Sequence, residues 1–269
     1  MIFVSTMIYA SGKQLGFELA VAEFHRQLCT PSASSLPVVR SIARLQELEE
    51  VQLMIDPAAT SIAKARCRAF HAAARSSADV WISIDDDCEA TVDTFDLLIQ
   101  AARTGGDVII APCLLRGQDR TNVALFKLEL ERQLIDGARL KRAHFGGFGI
   151  AAVSRHAMNR LTDKYSPELE YRDHDQVQRL ALFSEQLACG QWVGEDLAFC
   201  ARATAAGLTI EALATGVTMH DGQGLLLAEL DLHPSLELER MPAFEQALRP
   251  YSPPTVTDVD PLEFAKQFG

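Results

Sequence analysis

Val80-Trp81-Ile82-Ser83-Ile84-Asp85-Asp86-Asp87-Cys88-Glu89 is an apolar run that ends abruptly in three consecutive carboxylates. Its β-branched and aromatic residues fit a buried parallel strand. Asp85, Asp86 and Asp87 then sit at the strand's carboxyl end, where open α/β sheets gather their ligands. Three adjacent like charges repel, and solvent or a divalent cation relieves them. A plainer reading is that the acids only precede the next helix, with Thr91 or Asp93 capping the run from Phe95 to Ala102. The triplet alone supports both readings.

Working outward toward the N-terminus, Ile2-Phe3-Val4 reads as a first strand, and Ser5 to Gly12 as a polar turn opening a pocket at its end. Leu15, Leu19, Ala22 and Leu28 suggest a helix over 14 to 28, and Pro31 to Pro37 a loop. Residues 38 to 50 give a second helical pattern. Val51 to Ile55 is a second strand, whose end places Asp56 before Pro57, as a turn residue or a ligand contact. Between Ser61 and Arg75 a helix is expected with Ile62, Ala65, Ala69, Phe70 and Ala73 inward and Lys64, Arg68, His71 and Arg75 on a solvated face. Arg66 lies off that stripe, where a guanidinium and free backbone amides can meet a phosphate.

On the other side, a helix from about Asp93 to Arg103 ends at Gly105-Gly106, and Asp107 to Pro112 is the next strand. This order favours a parallel doubly wound sheet. Phe126 to Leu134 reads as a charged, exposed helical segment. His144-Phe145-Gly146-Gly147-Phe148-Gly149 offers either a tight bend or a close backbone approach to a ligand. Residues 162 to 179, dense in charge, read as a surface loop of the kind that sets selectivity.

Composition narrows the classes. With 269 residues and 48% apolar content the chain can bury a large core. Its net charge of −11 and pI near 5.1 disfavour a broad nucleic-acid footprint. No apolar run reaches spanning length, and the start from Met1 to Tyr9 lacks the basic region of a secretory signal, so the expected setting is cytoplasmic with no membrane span. Six scattered cysteines without a CxxC pair fit reduced core thiols, Cys88 being the one beside the carboxylates.

Two further segments decide the reading. Gly190 to Ala203 contains Trp192-Val193-Gly194-Glu195-Asp196, with Leu197, Cys200, Ala201 and Thr204 at helical spacing, so Glu195 and Asp196 fall in a helix's first turn. Acids there are dipole partners, or, facing a pocket, a general base. Gly216-Val217-Thr218-Met219-His220-Asp221-Gly222 is a short strand delivering a histidine, structural when alone but suited to a metal when met by a distant acidic cluster.

Taken together, these segments resemble the GT-A glycosyltransferases, particularly glycosyltransferase family 2, over residues 1 to 224. Asp85-Asp86-Asp87 matches the DxD motif, Glu195-Asp196 the xED motif and His220 the late histidine. Leu182-Phe183 and Gly207-Leu208 match the surrounding spacing. The resemblance implies an α/β GT-A (nucleotide-diphospho-sugar transferase) fold, with a Rossmann-like, mostly parallel central sheet flanked by helices. It also implies Asp87 and His220, with Asp85, as ligands of Mn²⁺ or Mg²⁺, and Asp196 as catalytic base, with Glu195 beside it. Thr6, Asp56, Arg66, Asp85, Asp86, Gly146 and Gly147 would contact a nucleotide-sugar donor, UDP being favoured by analogy. Cys67 stands where the family often has Asn. Residues 225 to 269 would form an extension that packs back, covers the nucleotide or enters a homodimer contact.

Three alternatives stay open. A sugar-nucleotide pyrophosphorylase would need a glycine-rich basic loop, whereas Met7 to Gly16 holds only Lys13 and two separated glycines. A non-catalytic nucleotide-sugar or carbohydrate-binding module would tolerate loss of Asp196. A phage-type transferase acting on hydroxymethylated DNA bases would bind DNA despite the acidic balance.

Overall fold

The computed structural model describes residues 1–7, 24, 26–31, 34, 36–56, 61–125, 132–134, 139–166, 168–188 and 191–232. Its spine is a nine-stranded sheet in the order β2-β1-β3-β9-β5-β14-β8-β6, with β7 also pairing β8. The strands are β1 (Ile2–Met7), β2 (Val51–Asp56), β3 (Val80–Asp85), β5 (Val108–Ile110), β6 (Val123–Leu125), β7 (Arg132–Gln133), β8 (Arg139–Gly146), β9 (Ile150–Ser154) and β14 (Ile210–Leu213). All run one way except β8 and β9. The architecture is therefore α/β with a mostly parallel central sheet, as expected. The doubly wound order needs one correction: β9 inserts antiparallel between β3 and β5, running in the same direction as β8, so the segment Gly147–Gly149 carries the chain across β14 and β5 without reversing it.

Among the described residues, the helices whose bounds are defined are α1 (Pro37–Leu48), α2 (Ile62–Arg75), α3 (Val92–Arg103), α4 (Arg155–Tyr165) and α5 (Glu195–Ala205), which flank the sheet. Helix α1 packs on α3, while α2 and α5 both pack on α4. Burial of Val80 to Ile84 and of every β9 residue shows that both faces of the central strands are covered. Side-chain caps start three of these helices. Ser61, Thr91 and Ser154 each accept a hydrogen bond from a backbone N–H in the first turn of α2, α3 and α4. Between the two possible caps of α3, the chain uses Thr91.

Beneath the strand ends lies an aromatic floor. Phe183 stacks on Phe199 at 4.4 Å between centroids, Phe148 meets Phe199 edge-on at 4.8 Å, and Trp81 meets Phe70 at 5.8 Å. The Trp81 indole N–H donates to Ser5 Oγ at 2.9 Å, so its buried polar atom is satisfied.

Several sequence expectations change. The first strand runs on to Met7. Residues 162 to 179 are not a loop: α4 continues to Tyr165, and β10 (Glu170–Arg172) pairs antiparallel with β11 (Gln178–Leu180). Of the segment expected to be helical over 126 to 134, residues 126–131 lie outside the described residues and Arg132–Gln133 are a strand on β8. The turn past Met7, most of the expected helix over 14 to 28, Gly190 and residues 233–269 also lie outside the described residues. Leu225, Leu227 and Leu230 are buried, the first in β16 (Gln223–Leu226) and the others in a 3₁₀ turn at Leu227–Leu232.

A small three-stranded sheet, β16-β15-β4, completes the site's frame, with β4 at Cys88–Ala90 and β15 at Val217–His220. It is pinned to α3 through Thr94, whose Oγ1 accepts from Val217 N at 2.8 Å and donates to Val217 O at 3.1 Å. Gly216 makes this approach possible. Its φ is +115°, and a Cβ there would lie 2.4 Å from Thr94 Oγ1. Gly216→Ala is expected to cost about 2–4 kcal/mol, from backbone strain plus overpacking, read by urea denaturation. A cost below about 0.5 kcal/mol would show that the strand relaxes without penalty.

Candidate active site

Parallel pairing lines up the carboxyl edge of the sheet: Met7 registers with both Asp56 of β2 and Asp85 of β3. The chain then turns at Asp86-Asp87 into β4. Strand β15 runs antiparallel to β4 with His220 opposite Cys88, so a histidine 133 residues away comes to Asp87. Helix α5 starts nearby, with Gly194 at its N-cap and Glu195 and Asp196 in its first turn, as the helical spacing predicts.

Two adjoining charge clusters result. The first is centred on Arg66, only 2% exposed. Its Nη1 donates to Glu195 Oε1 at 2.9 Å and to Asp196 Oδ1, and its Nη2 donates to Asp85 Oδ1 at 3.1 Å. The guanidinium carbon stands 5.8 Å from the Phe148 ring centroid. The backbone N–H of Phe148 donates to Asp196 Oδ2 at 3.1 Å.

Three carboxylates share one guanidinium, and this imbalance sets the protonation. Burial favours the neutral form of Arg66, but Asp196, Asp85 and Glu195 together outweigh it, and its proton is held more tightly than usual. The carboxylates fare differently. Burial raises Asp196 to about 6, with Glu195 and Asp85 adding repulsion and Arg66 opposing. Asp85 is also raised, mainly by burial, against the attraction of Arg66. The opposite impressions given by the partners reconcile on counting charges: the cation is oversupplied with anions, and each anion has only a share of one cation.

The second cluster holds Asp87, Cys88 and His220, whose ligand atoms lie within 4.8 Å of one another. His220 Nδ1 lies 2.7 Å from the Leu114 carbonyl, which only accepts, so Nδ1 carries the proton and Nε2 presents its lone pair. That Nε2 faces Asp87 Oδ2 at 3.2 Å. Two acceptors at this distance suit a shared cation. Arg116 supplies positive charge there, with Nη2 2.8 Å from the same Asp87 Oδ2 and Nε 3.1 Å from Asp221 Oδ2. A hydrogen bond with Cys113 and burial push the Cys88 thiol far up, so it stays protonated.

The remaining sequence candidates fall around these clusters. Asp86 is in the turn between β3 and β4, half-buried. Thr6 is buried one residue before the strand end, and its hydroxyl has no hydrogen-bond partner among the described residues. Asp56 is buried and held by Arg68, Nε to Oδ2 at 2.6 Å and Nη2 to Oδ1 at 3.0 Å. Arg68 also reaches Asp173 in the turn of the β10–β11 hairpin, so it is a tie between elements and not part of a solvated face. Gly146 is glycine for a packing reason: a Cβ there would be 2.8 Å from Val123 Cγ1 and 3.0 Å from Ile110 Cγ1. A Cβ on Gly147 would be 2.9 Å from Asn122 Nδ2. The glycine that borders the acidic site is Gly149, where a Cβ would lie 3.0 Å from Cys88 Sγ and 4.0 Å from Asp85 Oδ2.

Sequence reasoning passed over Arg116, Asp173, Gly149 and the Phe148 amide. Gly149 belongs to the quoted glycine run; nothing local marks Arg116. A separate cavity of about 470 Å³ lies between α2, α4 and the β10–β11 hairpin, lined by His71, Arg75, Asn159, Thr162 and Gln178 among others. It is at the other end of α2 from Arg66, and the acidic clusters are the better candidate because they alone combine perturbed carboxylates with the strand-end position.

No protein-family model and no curated protein sequence matches the chain. Among solved structures, it is similar to A197 from STIV, at 13% identity and a TM-score of 0.46, covering 84% of this chain and 94% of that one. It is also similar to GalNAc-T7, crystallised with UDP, GalNAc and Mn²⁺, at 11% identity and a TM-score of 0.41; the alignment covers 81% of this chain but 42% of that protein. A third, 4-diphosphocytidyl-2C-methyl-D-erythritol synthase from Anaerococcus prevotii, aligns at 13% identity and a TM-score of 0.28, covering 65% of this chain and 81% of the other. Similarity at this level assigns no activity. Among the described residues, no helix is long and apolar enough to cross a membrane.

Proposed function

We propose that this chain is a metal-dependent glycosyltransferase of the GT-A type, moving a sugar from a nucleotide-diphosphate sugar, UDP-linked by preference, to an acceptor hydroxyl with inversion. The observation that carries this reading is the convergence of three distant segments at one sheet edge. Asp85 and Asp87, Glu195 and Asp196, and His220 meet there, with Arg66 joining Asp85 to Asp196 and with Asp87 facing His220.

The donor set suits a hard divalent cation. Asp87 offers a carboxylate oxygen and His220 an Nε2 lone pair fixed by the Leu114 carbonyl, with the Cys88 thiol adjoining. The carboxylate oxygens of Asp87 and of the adjacent Asp85 and Asp86 suit Mn²⁺ or Mg²⁺. Asp87 and His220 would hold the ion, with Asp85 next to them. When bound, the cation would neutralise charge on the departing nucleoside diphosphate.

The protein's own groups account for the rest. Asp196, raised to about 6, is ionised at neutral pH yet basic enough to take a proton from an acceptor hydroxyl. Phe148 N–H and Arg66 Nη1 fix its two oxygens, so the carboxylate is oriented before substrate arrives. Thr6, Asp56, Arg66, Asp85, Asp86, Gly146 and Gly147 are assigned to the donor side, the buried Thr6 hydroxyl being a group still able to bond. The β10–β11 hairpin, tied to Asp56 through Arg68, is assigned to substrate selection.

Thermal unfolding against UDP-, GDP-, CMP- and dTDP-linked sugars, each with Mn²⁺ and with EDTA, tests the reading. A donor at about a hundred times its dissociation constant should add roughly 2.7 kcal/mol and raise the midpoint by roughly 5–10 °C. The shift should need metal and vanish in Asp87→Ala. Absence of any shift across the panel would overturn the proposal.

A further inference from the structure

Among the described residues, Arg116 is the cation at the site that no part of the proposed reaction uses. It stands at the tip of a braced loop. Leu114 bridges Thr121, Leu115 N–H donates to Arg120 O at 2.7 Å, and Asn122 N–H donates to Cys113 O at 2.9 Å. Gly117 turns the tip with φ +67°. The same loop contributes the Leu114 carbonyl that orients His220, so its position relative to the cluster is fixed from two sides. From that base the Arg116 side chain, 65% exposed, reaches back to Asp87 Oδ2 and Asp221 Oδ2. Its target on Asp87 is the oxygen that faces His220 Nε2.

We infer that Arg116 is a built-in counter-ion that competes with the divalent cation for Asp87, and so sets the cation concentration at which the site loads. This rests on the reading that Asp87 and His220 hold such a cation. One oxygen cannot keep a guanidinium hydrogen bond at 2.8 Å and also accept a metal ion in the same direction. Loading therefore requires Arg116 to leave Oδ2. The exchange is easy because both ion pairs are open to water, and such pairs contribute little individually. In the metal-free state the guanidinium relieves the repulsion of Asp87 and Asp221 and screens the lone pair of His220. Arginine suits this better than lysine, since its fork spans two carboxylates at once.

The test is Mn²⁺ binding to the intact chain, by isothermal titration and by the loss of free-ion paramagnetic resonance signal, in wild type, Arg116→Gln, Arg116→Lys and His220→Ala. Arg116→Gln should bind Mn²⁺ about two- to tenfold more tightly than wild type, the range expected when one or two exposed ion pairs no longer compete. Arg116→Lys, which keeps the charge but loses the two-carboxylate span, should fall between them, and His220→Ala should bind weakly or not at all. Equal or weaker binding in Arg116→Gln, with wild type binding normally, would overturn the counter-ion role and leave the metal site standing. If neither wild type nor Arg116→Gln binds Mn²⁺, the metal reading itself fails. Arg116 is exposed and outside the core, so the variant is expected to fold.

Discussion

Asp196→Asn is expected to slow sugar transfer by about 10²–10⁴-fold, the usual contribution of a positioned general base, while donor-induced stabilisation survives. Asparagine matches the carboxylate in shape and cannot take the proton, and its single amide oxygen can accept from only one of the two donors, Phe148 N–H and Arg66 Nη1, that the carboxylate satisfies. In wild type the rate should rise with pH through about 6 as the carboxylate ionises. The same shift has a consequence for stability, of opposite direction to an ordinary salt-bridged aspartate. Because the folded-state value lies above the unfolded one, the relative stability is fully present below about pH 4 and is lost as pH rises through about 6. Near neutrality the ionised group costs on the order of 2–3 kcal/mol. The stability of Asp196→Asn relative to wild type should therefore rise between pH 4 and pH 7.5, offsetting the hydrogen bond that the amide loses. Transfer kinetics together with urea denaturation at the two pH values check both halves. An unchanged rate would remove Asp196 from the chemistry, and a relative stability that falls between pH 4 and pH 7.5 would mean that its pairing with Arg66 outweighs burial.

Arg66→Met should be among the most destabilising single changes in the described chain. It would leave Asp85, Glu195 and Asp196 without their common cation over an aromatic floor, and removing one partner of a buried ion pair costs about 3–5 kcal/mol. In a chain of this size that corresponds to a midpoint lower by roughly 10 °C. The loss should shrink as pH falls, since protonating the carboxylates removes the uncompensated charge. It should also be partly recovered by Asp196→Asn in the same chain, a non-additivity expected of groups in one network. A cost below about 1 kcal/mol at neutral pH, or strict additivity of the two changes, would show that the carboxylates reach water without Arg66.

The two predictions pull on the same bond from opposite ends, which explains why the site tolerates its strain. Arg66 keeps three acids together that would otherwise separate, yet it is too little charge to settle them all. What remains is an acidic edge that gains from any further cation, whether Arg116 from within the chain or a divalent ion from solution.

Local sequence determined much of this protein. The apolar run from Val80 to Ile84 is a strand because residues on both its faces must be buried, and the acids come at its end because their charge needs partners or solvent that the middle of the sheet lacks. The periodicity of α2 and α3 and their Ser61 and Thr91 caps follow from neighbours within four residues. Glu195 and Asp196 open α5 for the same short-range reason. Periodicity reports that a face is buried, however, and not what covers it. Only the tertiary structure decided that β9 would divide β3 from β5, that β15 would set His220 against Cys88, and that Arg66 would be buried among three acids. Arg68, read locally as a solvated helix residue, became the tie between Asp56 and Asp173. Arg116 carried no local signal, because its partners, Asp87 and Asp221, lie 29 and 105 positions away and are brought to it by strand pairing. Hydrophobic patterning fixes the elements through short-range sterics and burial, whereas the charges that make a site act between elements, and their balance exists only once the sheet has assembled.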